Sequence, residues 1–411
     1  MLLALLLVLQ TTAACADVAD CRAQAQAAAA RGDYEIFHDL AWRAVQKGPR
    51  NDTGLMNLLA RAMALSGRYG DALVMLGRIA DLGGPTDAVT SPDFALVRQL
   101  KEWPALEARL AGRPAPEPAA PSPSATSAAP SPAVPAATGT RGSESGEVLS
   151  FEGTALDPIA LAHDAVSRRF LMGDRHARRL VIVDEVSHHV VDYVSASSSS
   201  FLQNLTGFTI DTRRGDLWVV STGGDDSASS MLHKLQLVSG RTLLEIAPPD
   251  GAGAVRFVGV AATPDGTVYA LDAAGSRLYR VRPGTRALEL VMRLESPAPS
   301  ALVAVDDRVL YVATGQGLVR VDPSARTVTK VKSADQLSGL ESLAWRDGSL
   351  IAVQPAGGGY AVVRLSLDGA GTRVQRRTVL ASSSIPTVGT LGRDGYYYLS
   401  DAGTIRRLTL R

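Results

Sequence analysis

Cysteine is nearly absent from this sequence, and aromatic residues are scarce. Among 411 residues there are two cysteines, Cys15 and Cys21, and aromatic residues make up 5 %. A disulfide framework needs several cysteine pairs, so we expect packed cores to stabilise the fold. Glycine, by contrast, is plentiful at 38 residues, which indicates a chain with many turns.

An excess of charge of one sign is also missing. The chain has 42 Lys and Arg against 41 Asp and Glu. A nucleic-acid-binding protein shows a strongly basic face, so we expect no nucleic-acid partner. The sequence contains no GxSxG, HExxH, GxGxxG, CxxC or phosphate-loop motif. None of these short motifs therefore indicates a catalysed reaction.

Long hydrophobic runs are missing beyond the N-terminus, where Leu2 to Leu9 form one short apolar run. A helix that spans a membrane needs about 20 apolar residues, so we expect no membrane span. The run is typical of an export signal, and Ala14-Cys15-Ala16 offers small residues for peptidase cleavage before Asp17. We therefore predict a signal peptide over residues 1–16 and a periplasmic or secreted protein.

Two features of this N-terminus keep a second interpretation open. The basic residues that usually precede the apolar run are missing. In addition, Cys15 follows small residues as in a lipoprotein signal, where it would be the lipidated residue. We favour simple secretion, in which cleavage after Ala16 leaves Cys21 without a partner.

Residues 17–112 are predicted to form helices, because Ala and Leu recur there at helical spacing. The segment resembles tetratricopeptide repeats, helix-turn-helix units with a period of about 34 residues, although the aromatic residue of the first consensus helix is absent. The matching positions are Gly32, Ala41, Ala44, Pro49, Leu59, Ala60, Gly67, Ala72, Leu76 and Ile79. We expect SPDFALVRQLKEWPALEARL to form a closing helix pair.

Residues 113–145 differ from both flanking regions in composition. Eight prolines lie between Pro114 and Pro135, among many Ala and Ser residues. Such a segment cannot bury a core and is typical of a semi-extended linker.

From residue 146 onward, short alternating strands recur with turn signals between them. Six times an apolar strand, a turn and a second strand end at a similar closing position, with spacings of 40 to 51 residues. The closing positions are Asp174, Ser221, Asp272, Thr314, Gln354 and Asp401. Repeats of this length are typical of propeller blades, so we predict an all-β six-bladed propeller over residues 146–411.

The sixth repeat ends after its third strand, whereas GEVLSFEG at residues 146–153 belongs to no repeat. We predict that this segment pairs as the outer strand of the last blade and closes the ring. Closure is expected because open sheet edges favour aggregation.

Two strand-rich stretches, TPDGTVYALDAAGSRLYRVRPGT and GLVRVDPSARTVT, resemble the gluconolactonase and regucalcin-like (senescence-marker-protein) family of six-bladed propellers. The resemblance covers residues 147–411. It implies a metal-dependent lactonase, in which a Glu, two Asn and an Asp hold Ca²⁺ or a similar divalent cation at the mouth of the central channel.

In this sequence the four implied ligand positions fall on Ile159, Thr206, Val258 and Ala301, or on Ser300 instead of Ala301 if the register shifts by one. The side chains of Ile, Val and Ala cannot bind a cation. The resemblance therefore predicts a propeller that has kept the scaffold and not the family's metal site.

The same register places Glu341 and Thr387 at the equivalent positions of blades five and six. The candidate ligand-binding residues at the channel mouth are thus Glu341, Thr387 and Thr206. A single carboxylate makes neither a metal site nor an acid–base pair. Glu341 is either a contact for a cationic or hydroxylated ligand or a solvated strand end beside an arginine. His163, inside an inner strand, is expected to be a core histidine.

These observations predict a multi-domain protein: helical tetratricopeptide-like repeats, a linker and a six-bladed β-propeller. Our hypothesis is an exported, non-catalytic binding or assembly protein without a cofactor, with a protein or peptide partner and possible small-molecule ligands. The alternative is a metal-dependent, lactonase-like hydrolase with a rearranged site at the channel mouth. The high content of Ala, Arg and Gly suggests a bacterial source.

Overall fold

The computed structural model describes residues 15–112, 145–151, 156–175, 177–185, 188–195, 204–212, 214–222, 230–385, 387–401 and 403–410. The chain divides into two compact units, residues 1–116 and 117–411. The predicted signal residues 1–14 and nearly all of the Pro-rich segment lie outside the described residues. None of the described helices is long and apolar enough to cross a membrane.

The N-terminal unit is helical, as predicted. Its α-helices are α1 (Val18–Ala30), α2 (Tyr34–Lys47), α3 (Thr53–Leu65), α4 (Tyr69–Asp81) and α5 (Trp103–Leu110). α1 packs on α2 and α3 packs on α4. Gly32 and Gly67 follow the first helix of each hairpin, and both have a φ of 78°, a left-handed conformation that glycine adopts without steric cost. The described part of the unit is therefore two successive helical hairpins followed by α5.

Only the second helix of the predicted closing pair is present. α5 forms as expected, whereas the segment before it makes two 3-10 turns, Pro92–Phe94 and Val97–Gln99. The guanidinium of Arg98 donates to the carbonyl oxygens of Ala88 and Ser91, at 2.8 and 2.7 Å. These bonds tie the segment to the preceding loop, so compact turns replace a regular helix.

The two cysteines form a disulfide. Cys15 and Cys21 are bonded to each other, six positions apart, and both are buried. An unpaired Cys21 therefore applies only to a chain cut after Ala16, and the intact chain has the pair. α1 starts directly after this point, with Asp17 as the N-cap whose carboxylate accepts from the Asp20 amide at 2.9 Å.

The C-terminal unit consists of six four-stranded antiparallel sheets, which confirms the predicted six-bladed propeller. Blade one is β2 (Pro158–Asp164), β3 (Arg169–Asp174), β4 (Arg179–Asp184) and β5 (Val190–Val194); blade two is β6 (Asn204–Asp211), β7 (Asp216–Thr222), β8 (Met231–Gln236) and β9 (Thr242–Ile246). Blade three is β10 (Phe257–Ala262), β11 (Val268–Asp272), β12 (Arg277–Val281) and β13 (Glu289–Arg293); blade four is β14 (Ala301–Ala304), β15 (Leu310–Thr314), β16 (Gly317–Asp322) and β17 (Thr327–Lys330). Blade five is β18 (Ser342–Arg346), β19 (Ser349–Ala356), β20 (Gly359–Leu367) and β21 (Val374–Ser383); blade six is β22 (Gly389–Gly392), β23 (Gly395–Asp401), β24 (Thr404–Leu408) and β1 (Ser145–Ser150).

The ring closes through β1. This first strand pairs antiparallel with β24 as the outer strand of blade six, as the sequence predicted. The innermost strand of each blade contacts the innermost strands of its neighbours, and β22 contacts β2. The six blades therefore surround one central channel. The edges of the innermost strands face this channel, and contacts between neighbouring blades fix their positions.

Apolar cores fill the spaces between neighbouring blades. One core joins Tyr311 and Leu318 of blade four to Leu350 and Val363 of blade five. Trp345 of blade five stacks on Tyr311, with ring centroids 5.6 Å apart. Because each blade covers a face of the next, the middle strands are buried on both faces, and this packing fixes the geometry of the channel wall.

Candidate functional site at the mouth of the propeller channel

The innermost strands surround a cavity of about 500 Å³, a volume typical of small-molecule sites. Most side chains in its wall are aliphatic. They include Ile159, Leu161, Val258, Val260, Leu302, Leu343 and Val388. Among the described residues, the wall contains one acidic side chain, that of Glu341.

Three of the implied ligand positions lie in equivalent β-bulges. The pairing register shifts between Pro158 and Ala160, between Leu205 and Gly207, and between Phe257 and Gly259. Ile159, Thr206 and Val258 are the extra residues, and all three line the cavity. A bulge re-aims a side chain at the rim of a sheet, so the backbone presents these three residues at the same end of the channel.

In blade four the equivalent residue is Ser300, the second of the two registers that the sequence left open. Ala301 pairs with the residue before the closing position of its blade, as Ala160 and Gly259 do in theirs. The mouth position directly precedes this pair and therefore falls on Ser300. Both Ser300 and Ala301 line the cavity.

The hydroxyl groups at the mouth already donate to the backbone. Thr206 Oγ1 donates to the Val220 carbonyl at 3.2 Å, and Ser300 Oγ donates to the Leu340 carbonyl at 2.8 Å. Thr387 Oγ1 donates to a backbone carbonyl of β23, and its side chain is buried outside the cavity wall. Of the three candidate ligand-binding residues, the structure thus brings Glu341 and Thr206 to the cavity and not Thr387.

Glu341 differs from its neighbours at the mouth. Its amide donates to the Val353 carbonyl at 2.9 Å, at the start of β18, whereas its exposed carboxylate has no hydrogen bond or ion pair within the described part of the chain. Partial burial raises the pKa of Glu341, and the charge of Arg175 lowers it by a smaller amount. Arg175 Nε also lies 4.0 Å from the Asp157 carboxylate. Glu341 is therefore the one carboxylate in the described cavity wall, and Arg175 is its charged neighbour.

The closing residues hold the chain where it enters the innermost strands. Asp272 is fully buried; it accepts hydrogen bonds from the Arg256 amide just before β10, at 2.8 Å, and from the Arg277 guanidinium, at 2.6 Å. Asp174 makes equivalent bonds in blade one. Buried ionic contacts of this kind are rigid because each charge depends on its partner. The mouth positions are therefore anchored by the blades.

The mouth does not fit the divalent cation that the family resemblance implies. Ile159 and Val258 present hydrocarbon where two ligands would stand. Ca²⁺ takes about six to eight oxygen ligands, and Glu341 is one carboxylate. No group of three or more His, Cys, Asp or Glu side chains able to hold a metal ion occurs among the residues that the structure describes.

His163 lies in the cavity wall, five residues after the first residue of β2. Its Nε2 is 2.5 Å from the Glu185 carboxylate, which also accepts from Arg168 at 3.0 Å. The ring packs against Phe170 and Tyr397, with centroids 4.8 and 5.1 Å away. The side chain is 4 % exposed, so His163 behaves as a core histidine at the seam between blades one and six.

The sequence analysis missed a Ser–His–Glu arrangement in blade two. His233 Nε2 lies 3.0 Å from Ser221 Oγ, and His233 Nδ1 lies 3.7 Å from the Glu245 carboxylate. These three residue types in this order occur in hydrolase triads. Strand pairing reveals them. Ser221 of β7 stands opposite Met231 of β8, two positions before His233, and Glu245 of β9 stands opposite His233.

The burial of Ser221 and His233 indicates that this arrangement has a structural and not a catalytic role. Ser221 and His233 are 4 % and 1 % exposed, so an ester carbonyl has no access to the hydroxyl. Burial also lowers the pKa of His233 to about 4, far from the neutral range in which a general base works well. The contact is a hydrogen bond that joins the second and third strands of the blade.

Comparisons with known proteins assign neither a family nor a function to the chain. No family model matches the chain, and no curated protein matches it. Among solved structures, virginiamycin B lyase from Staphylococcus aureus is 13 % identical, over 65 % of this chain and 99 % of that chain, with a TM-score of 0.46. A putative oxidoreductase (glucose dehydrogenase) from Thermus thermophilus is 17 % identical, over 65 % of this chain and 100 % of that chain, also with a TM-score of 0.46.

A structure of a nidogen–laminin complex matches at 12 % identity, over 54 % of this chain and 80 % of the matched chain, with a TM-score of 0.43. Similarities this low carry no argument about activity. The assignment of six blades rests on the six sheets of the chain itself. Nothing in these comparisons assigns the chain to the gluconolactonase and regucalcin-like family.

Proposed function

We propose that this chain is an exported binding protein whose propeller channel takes a ligand without catalysing a reaction on it. The observation that carries the proposal is the composition of the mouth. Hydrocarbon stands at Ile159 and Val258, where the family resemblance implies metal ligands, and Glu341 is the one carboxylate in the described wall. The cavity keeps the volume of a ligand site, while the groups that would activate water on a metal are missing.

The helical unit is the second part of this proposal. We infer that its hairpins are tetratricopeptide-like and offer a surface for a protein or peptide partner. The equivalent left-handed turns at Gly32 and Gly67 support this, since they give the two hairpins the same plan. Stacked hairpins of this kind form extended surfaces that commonly bind other chains.

Export completes the proposal. Cleavage before Asp17 would remove residues 1–16 and leave the whole of α1 with its N-cap in place. The predicted peptidase site therefore lies directly before the N-cap of α1, and cleavage there would also remove Cys15, the disulfide partner of Cys21.

The alternative is a metal-dependent, lactonase-like hydrolase with a relocated site. One observation favours it: the Glu341 carboxylate lines the channel and makes no hydrogen bond within the described residues, with Arg175 as its charged neighbour. A relocated site would need further oxygen ligands from the substrate or from water.

Lactone hydrolysis by the full-length protein separates the two functions. The assay compares Ca²⁺, Zn²⁺, Mn²⁺ and EDTA, with thermal melting in the same buffers, for the parent protein and Glu341→Gln. We expect no metal-dependent turnover and no shift of the melting temperature with metal. Turnover that EDTA and Glu341→Gln both abolish, and that the matched variant Asp347→Asn in the same blade retains, would overturn the binding function and establish the hydrolase.

A further inference from the structure

The channel mouth combines an apolar wall with one negative charge. The aliphatic side chains of Ile159, Val258 and Leu302 line the cavity, and Glu341 lies in the same wall. The hydroxyls of Thr206 and Ser300 already donate to backbone carbonyls. A ligand therefore meets aliphatic side chains and, among the described residues of the wall, one carboxylate, that of Glu341.

From this arrangement we propose that the cavity binds a small primary alkylammonium ion, with the ammonium group on the Glu341 carboxylate and the alkyl chain along the aliphatic wall. The inference rests on the proposed binding function and names the ligand class of that site. An ammonium group has three donors and no acceptor, so it matches a lone carboxylate. Burial of the methylene groups supplies the remaining affinity, because apolar surface leaves water.

The positive charge of Arg175, near Glu341, provides a second test of the sign of the ligand's charge. Its charge acts on Glu341, and its own side chain is 65 % exposed, with Asp157 4.0 Å away. A cation at Glu341 is repelled by Arg175, whereas an anion in the channel would be attracted by it. Loss of the Arg175 charge must therefore strengthen binding of a cation and weaken binding of an anion.

The test is calorimetric titration of the full-length protein with n-hexylammonium, hexanol and hexanoate, at neutral pH and low ionic strength. The three probes share one chain length and differ in charge. We expect n-hexylammonium to bind at millimolar concentrations, hexanol to bind more weakly and hexanoate to bind weakest. Glu341→Gln should weaken n-hexylammonium binding by about tenfold or more, since a charge-assisted hydrogen bond is lost. Arg175→Gln should tighten it about twofold to fivefold.

Asp347→Asn is the matched control. Asp347 lies in the turn between β18 and β19 of the same blade, and its side chain is 83 % exposed. It does not line the cavity, so its replacement should leave all three titrations unchanged. Glu341→Gln and Asp347→Asn keep the size of the side chain, and Arg175→Gln shortens an exposed one. A melting curve for each variant checks that it is folded.

Three results would overturn the inference: hexanol or hexanoate binding as tightly as the ammonium ion, no effect of Glu341→Gln, or no binding of n-hexylammonium at all. None of these depends on lactone hydrolysis. Metal-dependent turnover would overturn the proposed binding function in a separate assay, so the two failures are distinguishable.

Discussion

Leu149, in the first strand of the propeller, lies opposite Ile405, in its last strand. Both side chains are buried, at 1 % and 0 % exposure, in one core with Phe170 of blade one. A pair that is distant in sequence thus joins the two ends of the ring. This pairing gives blade six its fourth, outer strand, so β24 does not end the sheet as an open edge.

Deletion of residues 146–153 should therefore unfold the propeller or make it aggregate. The deletion removes most of β1 and leaves β24 as an unpaired edge. Size-exclusion chromatography and a thermal melt check this, with an eight-residue deletion inside the Pro-rich segment 113–145 as the control. A soluble deletion protein that melts cooperatively would contradict the closure argument.

The milder Leu149→Ala change should cost about 2–5 kcal/mol of unfolding free energy, because it leaves a cavity in the core.

The buried pair of Asp272 and Arg277 should be far more important for stability than a half-buried turn aspartate. Asp272→Asn removes the charge that Arg277 meets at 2.6 Å, with both side chains buried. We expect a loss of about 3–5 kcal/mol, since one buried charge loses its partner. Urea unfolding measures this loss.

Asp322→Asn is the control for that measurement. Asp322 accepts from the amides of Ser324 and Ala325 in a similar turn, and it forms no ion pair with an arginine among the described residues. We expect its replacement to change the unfolding free energy by less than about 0.5 kcal/mol. Equal effects of the two substitutions would mean that the turn, and not the ion pair, stabilises the blade.

The architecture of the propeller could be predicted because every blade repeats the same pattern. Each blade repeats a continuously buried second strand, as in β3, β11 and β15, and the closing positions from Asp174 to Asp401 mark the repeats at 40 to 51 residues. The position of Glu341 in the channel wall follows from the same counting. The spare first segment indicated ring closure for the same reason.

The details of the mouth could not be predicted, because they depend on single-residue shifts. A bulge adds one residue to a strand without requiring a particular side chain, so neither the bulge at Thr206 nor the choice of Ser300 over Ala301 is visible in the sequence. The contact of Ser221 with His233 depends on the pairing register across a long connection. Replacement of a helix by turns near Arg98 depends on tertiary hydrogen bonds.

Glu341→Gln should raise the melting temperature slightly at neutral pH. The folded-state pKa of Glu341 is raised by burial, so the folded protein favours the protonated form and the ionised form destabilises it. This penalty is present above the raised pKa and disappears as the pH falls through it. Solvent exposure keeps the effect small. The difference between variant and parent should therefore shrink towards pH 4.5, the ordinary pKa of glutamate. A difference that grows on acidification would contradict this assignment.

His233 should make the protein less stable as the pH falls from its unfolded pKa of 6.5 to its folded pKa of about 4. Within this window the unfolded chain binds a proton at His233 and the folded chain does not, so unfolding is favoured. Above pH 6.5 this loss of stability is absent. Across the whole window it amounts to about 3 kcal/mol, from the difference between the unfolded and folded pKa values of His233. His233→Gln removes this site, so denaturant unfolding of the variant should depend less on pH in the window. Identical pH dependence in both proteins would show that burial does not hold His233 neutral.

If the protein is exported as proposed, the position of signal cleavage determines whether Cys21 keeps its disulfide partner. If the signal is removed before Asp17, Cys15 leaves with it, and the disulfide of the intact chain is replaced by a single thiol at Cys21. We expect this outcome, with Asp17 as the N-terminal residue in the intact mass of protein recovered from the periplasm or medium. Cys21 is fully buried, so its thiol should react with iodoacetamide only after denaturation.

A mass that includes a diacylglyceryl group would instead assign Cys15 to a lipid anchor. A mass that retains residue 15 without lipid, and is two hydrogens short of the reduced form, would mean that export preserves the disulfide and that cleavage lies upstream of it.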